Sequence, residues 1–146
     1  MHAVANHDQS VRIEWQSAVS DTELVDLTQS HGGQAELGWW DRVRPHSLGW
    51  VTARTDIDEL VGFVNVAWDG GDHAFLIDTK TRPTHQRQGL GVAVVGRAIA
   101  EAQAAGCEWL FVDFEPALTP FYIEACGFRS TAAGLVHLPS WSVDAP

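Results

Sequence analysis

The stretch Gln86-Arg87-Gln88-Gly89-Leu90-Gly91 decides how this chain is read. It stands between an apolar run that ends near Thr81 and the longest helical pattern of the sequence, Leu90 to Ala105. That pattern is built from Ala, Val, Ile, Glu, Gln and Arg, residues that favour or tolerate helix, and Gly106 stops it. Glycines before a helix let the backbone turn tightly and let a ligand approach it, while free N–H groups and the helix dipole attract phosphate oxygens. A pyrophosphate can be seated on the backbone of Gln88 to Val92. No Gly-Lys-Ser/Thr follows, so this is not a P-loop. The strand before it comes from an antiparallel run, so it is not a dinucleotide-binding Rossmann turn either. Taken alone, a Gly-x-Gly at a helix start is equally a plain turn.

Working outward, Val11 to Trp15 alternates apolar and polar residues, as a half-buried strand does. Ser20 or Asp21 caps a helix running to about Gln29, and His31-Gly32-Gly33 ends it. Residues 34 to 47, with Trp39, Trp40, Arg42 and Arg44 before Pro45, read as a short helix or lid. Leu48 to Ala53 and Leu60 to Trp68 form a hairpin across the acidic turn Asp56 to Glu59, and His73 to Thr81 adds a third strand after Asp69-Gly70-Gly71-Asp72. Beyond the long helix, Trp109 to Phe114 reads as a strand, Thr119 to Ala125 as a short helix ended by Gly127, and Gly134 to Leu138 as a last strand. The order β-α-α-β-β-β-α-β-α-β gives an α/β domain over residues 11 to 146, preceded by a flexible tail at residues 1 to 10. No repeat or linker divides it.

Composition narrows the function. With 45% hydrophobic and 19% charged residues the chain is not of the disordered class. Nineteen acidic residues against nine Lys and Arg give a net charge of −10, a field that repels nucleic acid and anionic lipid and leans toward cationic small substrates. The N-terminal stretch lacks a leader pattern and no window reaches the length of a membrane span, so a cytoplasmic protein with no membrane partner is expected. Cys107 and Cys126 have no metal-ligand spacing; two reduced, largely buried thiols and no metal are expected.

Gln86 to Gly91 resembles the Q/R-x-x-G-x-G/A signature of the GNAT superfamily of acetyl-CoA-dependent N-acetyltransferases, with Pro83 at the customary distance before it. Phe121-Tyr122-Ile123-Glu124-Ala125-Cys126-Gly127-Phe128 is similar to the family's FYxxxGF segment, about thirty residues downstream. The element order fits over residues 11 to 138. Glu115-Pro116-Ala117-Leu118-Thr119-Pro120-Phe121-Tyr122 is closest to the form seen in arylalkylamine N-acetyltransferases, Glu115 standing where the commoner branch has asparagine.

The resemblance implies a GNAT fold, a mixed and mostly antiparallel sheet of roughly six to seven strands flanked by about four helices, with one splayed pair of parallel strands. It implies an acyltransferase moving an acetyl group directly from acetyl-CoA to a primary amine, with a small-molecule amine as partner. The splayed strands would be Ala74 to Thr81 and Trp109 to Phe114. Cofactor-binding residues would be Thr79, Lys80 and Thr81 beside the thioester and Gln86, Arg87, Gln88, Gly89, Leu90, Gly91 and Val92 at the glycine turn. Tyr122, the only tyrosine, stands at the family's general-acid position. Relatives often carry Glu or His nine or eleven residues before the turn, where this chain has Ile77 and Phe75. Asp78 is the candidate base one residue on, with Glu115 and His73 in reserve, and an amine of low pKa needs none. Trp39 and Trp40 are candidates for stacking on the acceptor, against ordinary packing. Trp15, Trp50, Trp68 and Trp109 are read as core or sheet-face residues. The alternatives are an acyl-CoA sensor without turnover and acetylation of a protein lysine or N-terminus. Self-association into a homodimer is left open.

Overall fold

Strand β1 (Val11–Trp15) opens the computed structural model, which describes residues 10–144; apart from Ser10, the tail expected over residues 1–10 lies outside the described residues. Helix α1 (Asp21–Ser30) starts at a capping box: the Ser20 hydroxyl accepts from the Glu23 N–H at 3.1 Å, and the Glu23 carboxylate accepts from the Ser20 N–H at 3.0 Å. Ser20 is therefore the cap, and Asp21 is free for a different task. Helix α2 (Trp39–Val43) and a 3-10 turn (Arg44–His46) fill the segment read as a lid. Strands β2 (Ser47–Thr55), β3 (Leu60–Trp68) and β4 (His73–Thr81) follow as an antiparallel run.

Helix α3 (Leu90–Ala104) buries Leu90, Val94, Val95, Ala98 and Ala102, one stripe at helical spacing. Gly106, at φ 90, closes it: its N–H donates to the Gln103 carbonyl and the Cys107 N–H to the Ala102 carbonyl. Strand β5 (Trp109–Val112) then lies parallel to β4.

Among the described residues the sheet order is β1-β2-β3-β4-β5, five strands rather than the six or seven expected. The missing strand is the one assigned to Gly134–Leu138, which forms no ladder; only a 3-10 turn (Leu138–Ser140) appears in that region. Its apolar residues are short of a partner surface, with Leu135, Val136 and Leu138 all exposed. Strand β5 also stops two residues early, at Val112, its last residue paired with β4.

One core lies between the sheet and α3, built from Val51, Val64, Val66, Leu76, Val94 and Val95. On the other face, Leu24 and Leu27 of α1 pack with Trp40, Leu60 and Phe63. Covering on both sides explains why β3 is buried almost without interruption. At the β5 end the second face is bare. Phe75 and Phe111 stack there at 5.2 Å, Trp109 stays exposed beneath the guanidinium of Arg129, and Trp68 is exposed too, so neither tryptophan is in the core. Among the described residues no helix is long and apolar enough to cross a membrane, and no group of His, Cys, Asp and Glu could hold a metal.

Candidate functional site

The site is made by one extra residue in β4. Phe63 pairs with Lys80 and Asn65 with Ile77, so two steps along β3 answer three along β4. The surplus is taken up at Asp78, whose φ of 60 is the left-handed conformation of a bulge. Pairing of β4 with β5 runs from His73↔Trp109 to Leu76↔Val112 and ends just before this bulge. From Ile77 to Thr81 the β5-facing edge of β4 therefore has no strand beside it among the described residues, and its amide groups are open to an extended ligand.

Past the bulge, side chains divide between the two faces of the sheet. Thr79 and Thr81 face the α3 side. There a helical segment of π type (Pro120–Ala125) carries Phe121 and Tyr122. Tyr122 is buried, stacked on Phe114 at 4.9 Å and edge-on to Phe121 at 4.8 Å. Burial pushes its phenol above the ordinary range, and the Thr79 side chain pulls the other way. Tyr122 thus keeps its proton through neutral pH.

Asp78 and Lys80 face the α1–α2 side, where a cavity of about 640 Å3 opens between α1, α2 and β4. The structure thus separates Lys80 from Thr79 and Thr81, with which the sequence grouped it. Burial raises the Asp78 carboxyl, and Lys80, 3.9 Å away, opposes that rise. Burial likewise lowers the Lys80 ammonium, which lies 5.1 Å over the Trp39 ring.

The tryptophan pair is separated as well. Adjacent helical residues point about 100° apart; Trp39 lines the cavity, whereas Trp40 is 1% exposed and edge-on to Trp50 and Phe63. Stacking of an acceptor on Trp40 is excluded by that burial. Sequence reasoning missed Asp21, whose carboxylate accepts from the N–H groups of Gly38 and, at 2.9 Å, Trp40. It caps α2 from a distance and so fixes Trp39. The signal was an acidic residue in the first turn of α1 beyond what its own cap needed.

At the glycine turn, Arg87 at φ 64 and Gly89 at φ 79 are both left-handed, and among the described residues no side chain caps α3. The first-turn N–H groups of Leu90, Gly91 and Val92 have no partner within the helix. A Cβ built on Gly89 meets nothing within 4 Å, so the space over this helix start is open as a phosphate seat requires. Gly91 differs, since its Cβ would stand 3.0 and 3.1 Å from the Phe121 ring. Of the reserve bases, Glu115 is exposed at the start of a 3-10 turn and lines neither this cavity nor a wider one along β5. His73 sits at the far end of β4, beside Asp69 at 3.1 Å.

The Acetyltransferase (GNAT) family matches residues 12–128 of the chain. Mycothiol acetyltransferase of Mycolicibacterium smegmatis is 29% identical over 106 residues, a match that covers 66% of this chain and 35% of that protein, so the chain spans about a third of the length of this relative. A GNAT-family acetyltransferase of Streptococcus pneumoniae TIGR4 superposes with a TM-score of 0.72 at 23% identity, covering 88% of this chain and 98% of its own. A GNAT-family N-acetyltransferase of Escherichia coli, solved in complex with CoA, superposes with a TM-score of 0.68 at 17% identity over 82% of this chain and 68% of its own. With a bulged β4, a parallel neighbour that parts from it, and a glycine turn at the start of α3, the chain belongs to the GNAT acetyltransferase family.

Proposed function

We propose that this protein is an N-acetyltransferase acting by direct transfer from acetyl-CoA to a primary amine on a small molecule. The observation that carries the reading is the division of β4 past its bulge, with Tyr122 toward one face and an open cavity on the other. Bound acetyl-CoA would supply an acetyl group activated as a thioester. The residues fit it: the backbone from Gln88 to Val92 would hold the pyrophosphate, and the free edge at Thr79 to Thr81 would take the amides of its extended arm. Gln86 steadies this turn through a side-chain N–H donated to the Thr81 carbonyl at 3.1 Å.

The acceptor enters the cavity beside Trp39. Asp78 takes a proton from the amine, directly or through water, and its raised pKa brings it closer to neutral pH, where a general base works best. Tyr122 would give its phenolic proton to the departing CoA thiolate, which leaves as free thiol. Self-association into a homodimer belongs to the same proposal, read by sedimentation of the purified chain.

The test is release of free thiol from acetyl-CoA across a panel of amines, with Tyr122→Phe and Asp78→Asn beside the parent. Tyr122→Phe keeps the ring packing and removes one proton, so turnover should fall by ~10²–10⁴ with cofactor affinity unchanged. Asp78→Asn should erase the acid limb of the pH profile, which in the parent lies above the ordinary carboxylate range because burial raises Asp78. Parent-rate single turnover by Tyr122→Phe ends the acid assignment, and thiol release from no amine at all ends the transfer reading.

A further inference from the structure

The net charge of −10 predicts a cationic acceptor, yet the cavity beside β4 is not acidic. Its wall carries two carboxylates, Glu36 and Asp78, and two cations, Arg42 and Lys80. The surplus negative charge lies elsewhere on the protein, and the molecule's net field says little about a pocket balanced in sign.

Lys80 is the unusual member. Its side chain is only 10% exposed, yet among the described residues its ammonium makes no hydrogen bond. Its one ionic partner, Asp78 Oδ1, is 3.9 Å away, too far for a direct N–H to oxygen bond. Its other neighbours are the faces of Trp39 at 5.1 Å and Phe63 at 6.0 Å, which attract a cation weakly and accept no conventional hydrogen bond. An ammonium has three donors, and burying it without acceptors is costly. The lowered pKa of Lys80 has the same origin, desolvation that Asp78 only partly offsets. Arg42, one helical turn from Trp39, stands on the rim of the same cavity and has no ion-pair partner among the described residues.

We infer that the acceptor carries an anionic group, a carboxylate or a phosphate, a few carbons from its amine, and that Lys80 at the cavity floor and Arg42 at its rim receive this group while the amine lies at Asp78. The inference rests on the transfer reading for the direction of the amine, but the anion site stands on the buried ammonium and the cavity. A volume of about 640 Å3 lies in the range of small-molecule sites and admits such a compound whole. An anion at Lys80 forms charge-assisted hydrogen bonds in a place largely shielded from water, where they are stronger than at a surface. Lys80 is then a specificity residue. Phosphate and carboxylate share the chemistry, and the probes below distinguish them.

The experiment is calorimetric titration of the CoA-saturated protein with four compounds of similar length: 3-aminopropanoate, 2-aminoethyl phosphate, propylamine and 1,3-diaminopropane. At least one anionic probe should bind about tenfold or more tightly than propylamine, and the diamine should be weakest. Lys80→Gln should bring the ratio of the anionic probes' affinity to that of propylamine close to one without moving CoA affinity, and Lys80→Arg should restore part of it. Arg42→Gln, on an exposed position, should lower the same ratio less and serves if the Lys80 variants do not fold. Equal affinities for 3-aminopropanoate, 2-aminoethyl phosphate and propylamine, no binding of either anionic probe at millimolar concentration, or a preference that survives Lys80→Gln would each overturn the inference. Thiol release across the full amine panel reads the transfer proposal separately: anion-selective binding without thiol release from any amine leaves this inference standing and removes the other.

Discussion

Replacing Gly89 and Gly91 by alanine, one at a time, separates two roles that look the same in the sequence. At Gly89 the new methyl meets no protein atom within 4 Å, but the backbone is left-handed at φ 79. The conformational cost is about 1–2 kcal/mol, a few degrees of melting temperature for a chain of this size. No protein neighbour is disturbed, so further damage must come from whatever occupies the open space, and affinity for CoA should drop by about tenfold or more. At Gly91 the backbone is helical and alanine gains up to about 1 kcal/mol of propensity. Its methyl, however, stands 3.0 and 3.1 Å from the Phe121 ring, inside the usual ~3.5–4.0 Å carbon contact, so the ring must shift by roughly half an ångström. Overpacking of this kind costs about 1–3 kcal/mol, which leaves a net loss between zero and ~2 kcal/mol. Phe121 lies edge-on to Tyr122 at 4.8 Å, so the shift is passed to the phenol. Gly91→Ala should therefore lose turnover at saturating acetyl-CoA and keep CoA affinity, while Gly89→Ala does the reverse. Titration calorimetry with CoA and thiol release at saturation read the two effects, with thermal unfolding as control. Wild-type CoA affinity in Gly89→Ala would refute the phosphate seat. A Gly91→Ala enzyme with full turnover would refute the link through Phe121.

Two further outcomes follow from the same geometry. Asp21→Asn weakens the carboxylate grip on the Gly38 and Trp40 N–H groups, so the acceptor KM should rise about fivefold, a cap's worth of ~1 kcal/mol, with CoA affinity unchanged; a changed CoA affinity with an unchanged acceptor KM would count against Asp21 as the anchor of α2. Glu23, held at 2.6 and 3.0 Å by Arg54, has its carboxyl lowered from 4.5 to about 2. Because the folded pKa is the lower one, the pair's contribution is complete above 4.5 and is lost as pH falls toward 2. Solvent screening at this partly exposed carboxylate reduces it to about 1–2 kcal/mol. Glu23→Gln should therefore be less stable than the parent at pH 7 and nearly equal to it near pH 2, as measured by urea unfolding; a constant difference across that range would refute the linkage.

How much of this was legible in the sequence depends on the range of the forces involved. Capping, the helical stripe of α3 and the Gly106 stop are set by neighbours a few residues apart, and Ser20, Glu23 and Ala102 stand where local chemistry places them. Gly134 to Leu138 has strand-like residues, but a strand needs a ladder, and no described strand pairs with it. Trp39 and Trp40 are adjacent and chemically identical, so only the docking of α2 on β2 and β3 determines which one is buried. Asp78 shows the limit most clearly. A strict alternation through His73–Thr81 would put Ile77, Thr79 and Thr81 on one face, with Asp78 and Lys80 on the other. The extra residue at Asp78 breaks that alternation. Ile77 then pairs with Asn65 and Lys80 with Phe63, so Ile77 and Lys80, which strict alternation would set on opposite faces, share one. The slip carries a buried cation onto the cavity side beneath Trp39, and it lies just past the point where the β4–β5 ladder ends. A single inserted residue thus decides which face of the sheet carries the Lys80 cation, and it does so beside the point where the sheet opens.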